Sequence, residues 1–243
     1  MIGEAWTLRN EQRDFVEWHR GRAPYVLWAL DVDTPEVRAA VAQAAAHLRQ
    51  WLLPDYRRQP HVTVDLCGFP ADEPVRLAED EFNLASLQMH CAAMATQFPA
   101  PFTIEVGALS SFSSAPYLQV HDPAAALIQA RAALATSLPE VICSRSGQVQ
   151  QAASEQSTTR SRNGSHNDYV PHVTVGLYAD AWPAAAVNAS LLAYRNPAPL
   201  RLTIDRLSLL AYQPQEIGGH LHTLGAFCLI EQCWRPASLE QRS

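Results

Sequence analysis

Pro60-His61-Val62-Thr63-Val64 recurs letter for letter as Pro171-His172-Val173-Thr174-Val175. Nowhere else in the 243 residues does Thr follow His at the second position. The surrounding stretches, 61–69 (HVTVDLCGF) and 169–178 (YVPHVTVGLY), read as strands bounded by proline. Side chains alternate along a strand, so His61 and Thr63 project from one face while Val62 and Val64 go to the other, buried one. The second copy repeats this, with His172 and Thr174 opposed to Val173 and Val175. Two such units facing each other would gather two imidazoles and two hydroxyls around one small volume.

That set suits phosphodiester chemistry. A neutral imidazole can take a proton from an attacking hydroxyl or water, and a protonated one can give a proton to the leaving oxygen. A free imidazole titrates near ~6.5, so the two forms coexist at neutral pH. Threonine hydroxyls can donate to the non-bridging phosphate oxygens. A single His-x-Thr would be ordinary strand alternation; two identical pentapeptides in two similar half-chains point to a shared site. Zinc is the competing chemistry, but no His-x-x-x-His, paired cysteines or acidic cluster lies beside either copy. His220 and His222 form the only close pair, and on a strand they can simply face solvent.

Outward from the motifs, strands are expected at 25–31, 102–109, 117–121, 200–209 and 221–230, with a short one at 141–144. Thr34-Pro35-Glu36 is a helix start, and Val37, Val41, Ala45, Leu48 and Leu52 carry a helix over 35–52. Further helices are expected at 84–97, from Asp122-Pro123 to about 137, and at 183–194. A serine-rich loop (SSFSSAP) joins two strands as a hairpin, which requires antiparallel neighbours. The expected fold is therefore α+β: two pseudo-symmetric lobes, each an antiparallel sheet with helices outside, around a central groove. Residues 1–22, with Trp6, Phe15 and Trp18, are expected to form a helical extension. Residues 145–168 form a long polar loop, a flap or an insertion. The whole chain, 1–243, is expected to be a single domain.

The composition narrows the ligand. With 24 acidic and 18 basic side chains the net charge is −6, which disfavours extended nucleic-acid binding by counterion release. No apolar run is long enough for a membrane span, and the N-terminus lacks a signal-peptide layout. Five cysteines without a CxxC pair suit a reduced environment. The expectation is a cytoplasmic monomer.

On these motifs the chain resembles the 2H phosphoesterases, the LigT-like group that includes RNA 2′,3′-cyclic phosphodiesterases, also called 2′-5′ RNA ligases. The pattern is the pair His61-Val62-Thr63-Val64 and His172-Val173-Thr174-Val175, and the resemblance runs from about residue 25 to 230. The segment 102–120 (FTIEVGALSSFSSAPYLQV) is similar to the family's central hairpin. The resemblance implies that His61 and His172 are the catalytic acid and base, that Thr63 and Thr174 hold the phosphate, and that no metal or other cofactor is needed. The implied substrate is a small nucleotide or RNA end carrying a cyclic phosphate or 2′-linkage; a nucleotide-binding module with little catalysis, or a ligase, would use the same groove.

Other residues fill out the expected site. Arg57 and Arg58 precede the first motif, and Arg160 and Arg162 precede the second, as a basic lip for phosphate. Phe112, in the hairpin loop, and Tyr169 are candidates for stacking on a base. Many relatives place Arg or Lys after the second motif, where this chain has Gly176-Leu177-Tyr178. Asp65 stands two residues beyond Thr63, on His61's face by strict alternation, where it could orient the histidine or end the strand in solvent.

Overall fold

The computed structural model describes residues 1–72, 80–97, 100–136 and 169–238. Two sheets carry the fold. The larger has six strands in the order β10-β9-β8-β1-β2-β3, built from Cys233–Pro236, Leu221–Cys228, Arg206–Tyr212, Tyr25–Asp31, His61–Pro70 and Glu81–Phe82. The smaller has four, in the order β6-β5-β4-β7: His172–Thr174, Pro116–His121, Phe102–Ser111 and Leu200–Ile204. Every strand pair is antiparallel except the short β2–β3 pair. Helices α2 (Pro35–Leu48), α3 (Leu84–Gln97), α4 (Ala126–Thr136) and α5 (Ala184–Ala193) complete the α+β architecture of two lobes around a groove.

The main core lies behind the motif strands. Val62, Val64, Val173 and Val175 all belong to it, together with Trp28, Leu30 and Phe227 from the large sheet and Leu127 and Leu134 from α4. The inward half of the expected alternation is observed in both motifs: all four valines lie in the core, while Thr63, His172 and Thr174 are partly exposed. A smaller cluster occupies the motif face of the large sheet, where Ala29 pairs with Thr63. It consists of Tyr25, Leu27, Ala29, Phe69, Leu210, Tyr212 and Leu221.

α2 starts as its sequence requires, with Thr34 accepting from the Val37 N–H and proline in the first turn. It stops at Leu48 rather than 52, because residues 51–53 pair instead with the chain after β6: the Leu53 N–H donates to Leu177 and the Ala179 N–H to Trp51. The same pairing explains why the expected strand 169–178 is regular only over His172–Thr174. Pro171 has no N–H to give the ladder, and the last bond to β5 is from the Val175 N–H to Pro116, after which residues 177–179 pair with 51–53. The expected strand 200–209 is two strands in different sheets, β7 and β8, divided at Asp205, whose carbonyl accepts from the Leu229 N–H.

The N-terminal extension is helical only over α1 (Val16–His19). Its first ten residues run extended, tied by backbone hydrogen bonds to residues 113 and 178–184. Of the aromatics that suggested a helix face, Trp6 is exposed and Trp18 packs on Tyr25 and Phe69. The expected strand 141–144 and the polar stretch 145–168, with Arg160 and Arg162, lie outside the described residues. Among the described residues, no helix is long and apolar enough to cross a membrane.

Candidate active site

The two motif strands approach each other across the lobes, with Cα atoms of β2 and β6 within 8 Å. Each histidine is held in the same way. The Nδ1 of His61 lies 2.9 Å from the Gln59 carbonyl, and the Nδ1 of His172 lies 2.7 Å from the Val170 carbonyl. A carbonyl oxygen only accepts, so Nδ1 carries the proton in both rings and Nε2 is the atom that binds or releases one. The prolines make this possible. Residues 59 and 170 precede Pro60 and Pro171, and a pre-proline residue is restricted to extended backbone. That restriction helps hold each carbonyl against the imidazole two residues on. The signal was present in the sequence as the repeated proline, whose part in fixing the ring orientation was not apparent.

The environments differ. His61 is buried at 9% exposure, whereas His172 is partly exposed. Burial lowers the His61 pKa to about 4, with the Arg58 guanidinium and the His172 ring acting in the same direction and the Gln59 carbonyl against them. His61 is therefore neutral at pH 7. His172 packs against two aromatic rings: Phe112 meets it edge-on at 5.0 Å and Tyr117 at 5.3 Å, and these two stack on each other at 4.3 Å. Thr63 and Thr174 are both partly exposed on their strands, and Thr174 pairs with Tyr117 in the ladder.

Of the expected phosphate contacts, Arg58 lies by the first motif. Its Nε donates to the Gly219 carbonyl at 3.2 Å, and its guanidinium sits 4.3 Å over the Tyr212 ring. Arg57 is exposed and lines a different cavity, of about 230 Å³, with Gln12, Asp14, Asp55 and Glu216. Tyr169 binds across the lobes: its hydroxyl donates to the Thr63 carbonyl at 2.8 Å, and Arg131 covers its ring at 4.3 Å. Arg131 in turn donates to the Val64 carbonyl at 2.5 Å. Arg131 was missed from sequence because an arginine on a helix gives no sign of which strand it will reach.

Asp65 is not on the face that alternation assigns it. The β1–β2 register pairs Ala29 with Thr63 and Trp28 with Asp65, so Val64 is an extra residue in a bulge. A bulge turns the following side chain away from its expected side. Asp65 acts electrostatically on Tyr169, whose hydroxyl pKa is raised chiefly by burial. The His61 ring is oriented by a backbone carbonyl instead. After the second motif, Leu177 and Tyr178 are buried, and the Tyr178 hydroxyl lies 2.6 Å from the Ser111 Oγ. Among the described residues, no group of three or more His, Cys, Asp or Glu is placed to hold a metal ion.

Solved structures with similar chain paths include TT0787 of Thermus thermophilus, at 15% identity and a TM-score of 0.49 over 85% of this chain and 98% of that one. Escherichia coli LigT complexed with 3′-AMP is 14% identical, with a TM-score of 0.48 over 84% and 97%. A protein described as a phosphoesterase is 13% identical, with a TM-score of 0.46 over 85% and 98%. No curated protein matches the sequence. The sequence model of the 2′-5′ RNA ligase superfamily matches residues 34–216, a span that includes both His-Val-Thr-Val motifs. The chain belongs to this superfamily, the LigT-like group of 2H phosphoesterases.

Proposed function

We propose that the protein is a metal-independent phosphodiesterase that opens 2′,3′-cyclic phosphates, or cleaves 2′-linked phosphodiesters, of nucleotides and RNA ends. The observation that carries this reading is the matched pair of histidines. Both have Nδ1 fixed by a backbone carbonyl, which leaves proton transfer to Nε2. Buried, neutral His61 is the general base and takes a proton from the attacking water. His172, less buried, is the general acid and gives its Nε2 proton to the ring oxygen that leaves phosphorus. One P–O bond forms and one breaks, and the proton balance closes on the imidazole pair. Thr63 and Thr174 donate to the non-bridging oxygens, with Arg58 supplying positive charge beside them.

Joining RNA ends is the same exchange with a ribose hydroxyl in place of water, and the superfamily's description favours keeping it as a second activity. Phe112, Tyr169 and, if the loop reaches the groove, Arg160 and Arg162 are the remaining candidate substrate contacts.

The test is turnover of nucleoside 2′,3′-cyclic monophosphates in EDTA, followed by chromatography of the monophosphate product. The panel also includes cyclic-ended oligonucleotides, 2′-5′ oligoadenylate and ADP-ribose cyclic phosphate. Activity should persist in chelator. The acid limb of the kcat/KM profile should fall near pH 4, since the rate needs neutral His61. No turnover across the panel, with tight binding of an unchanged nucleotide, would replace the enzyme by a binding module.

A further inference from the structure

Both histidines donate from Nδ1 to a backbone carbonyl, but the two carbonyls are supported differently. In the second copy the lead-in to the motif belongs to a ladder: the Pro171 carbonyl accepts from the Val120 N–H at 3.2 Å, and His172 pairs with Gln119. In the first copy the β1–β2 register ends at Asp31 and His61, so residues 57–60 lie beyond its last pair. The Gln59 carbonyl, which accepts from His61, is held from elsewhere.

That support is the start of β9. The Gln59 side-chain amide stands against Leu221 as a neighbouring strand would. Its Oε1 accepts from the Leu221 N–H at 2.8 Å, and its Nε2 donates to the Leu221 carbonyl at 3.1 Å. Leu221 is itself buried and paired with Tyr212 of β8. Two further bonds join the same segments: the Arg57 N–H donates to the Gly218 carbonyl at 2.9 Å, and the Arg58 Nε to the Gly219 carbonyl. Gly218 has a φ of +68°, and a Cβ there would come within 2.6 Å of the Tyr56 ring, so this close approach requires glycine. An amide suits the place of Gln59 because it offers one acceptor and one donor to the two backbone groups of Leu221. Val170, which holds the corresponding place before the second motif, has no polar side chain.

We infer that Gln59 is a positioning residue for the first histidine: its side-chain clamp on Leu221 holds the carbonyl that keeps the proton on Nδ1 of His61 and leaves Nε2 open to accept one. A neutral imidazole released from that carbonyl divides between two tautomers, and with the proton on Nε2 the ring cannot act as the base. The released ring is also free to turn, which lowers the share of molecules in the reactive geometry. The effect on rate rests on the phosphodiesterase reading. The effect on the ring does not, and the experiment measures both.

Long-range proton–nitrogen NMR spectra of the imidazoles at neutral pH, where His61 is uncharged, report which nitrogen carries the proton. In the wild type, His61 should carry it on Nδ1. In Gln59→Met, which keeps the length of the side chain and removes both bonds, the His61 signals should move to a mixture of tautomers while those of His172 stay in place. Turnover of a 2′,3′-cyclic mononucleotide should fall about ten-fold in kcat, with KM within about two-fold. Gln59→Glu keeps the acceptor for the Leu221 N–H and loses the donor, and should fall between the two in both measurements. A merely structural role would lower the melting temperature without singling out one ring. A wild-type His61 with its proton on Nε2 overturns the inference whether or not any variant folds. A folded Gln59→Met that leaves the tautomer unchanged, or that shifts it with no loss of kcat in an active enzyme, also overturns it. Should wild type turn over none of the phosphodiester panel while Gln59→Met still shifts the His61 tautomer, the phosphodiesterase reading falls and the clamp on the ring stands. Should Gln59→Met unfold, Gln59→Glu decides by the same two measurements.

Discussion

The same five residues occupy two different settings. The first copy begins a ten-residue strand that pairs with β1 in a six-stranded sheet, and its histidine is buried beside an arginine. The second occupies a three-residue edge strand, and its histidine is partly exposed beside two stacked aromatic rings. Identical local sequence therefore fixes what is identical: the face of each side chain and the carbonyl that holds each Nδ1. The surroundings decide burial, and burial lowers the proton affinity of His61. On the proposed reading this is what makes His61 the base, without any difference in the motif itself.

The most direct way to break this comparison is to remove one imidazole at a time. His61→Ala and His172→Ala should each lower kcat on a cyclic mononucleotide by about 10³-fold, the scale of a lost proton transfer. The double variant should lose little more, because the pair acts as a unit. Independent, multiplying losses would show that the two do not share one reaction. The pH dependence of stability sharpens the asymmetry. His61 is held at about 4 against ~6.5 unfolded, so the unfolded chain takes up the proton first as pH falls. Its contribution is complete above about pH 6.5 and is lost progressively down to pH 4, on the order of 3 kcal/mol in all. Urea titrations of wild type and His61→Gln should diverge over that window. Absence of divergence would return His61 to an ordinary histidine.

The inward residues test where the copies are alike. Val62 and Val173 are both fully buried, so Val→Ala at either should cost roughly 2 kcal/mol of stability. A large inequality between them would mean that the lobes pack differently behind the motifs as well as in front. The smallest expected effect is Tyr169→Phe, which removes the hydrogen bond to Thr63 and should cost about 1 kcal/mol. It should also alter activity less than either threonine substitution.

The sequence was legible where periodicity alone decides the outcome. The motif faces, the Thr34-capped helix and the hairpin that carries Phe112 all follow from alternation, a cap or a turn. It was opaque where a partner distant in sequence intervenes. Residues 51–53 continue a helical pattern but are recruited by residues 177–179. The run 200–209 has one strand's composition yet serves two sheets, since nothing in Ile204-Asp205-Arg206 marks a change of neighbour from Phe102 to Cys228. Asp65 shows the limit most clearly: one bulged residue reversed its face, and a bulge of this kind has no composition of its own.

Asp205 has a mechanical consequence. The four-stranded sheet hands its last strand to the centre of the six-stranded sheet through this single residue, which leaves almost no slack between the bodies that carry His172 and His61. They cannot slide past one another or draw apart there without tearing one ladder or the other. The single core behind both motif strands, and the bonds from Tyr169 to Thr63 and from Arg131 to Val64, oppose rotation about that joint as well, so the spacing of the two imidazoles is set by the fold as a whole.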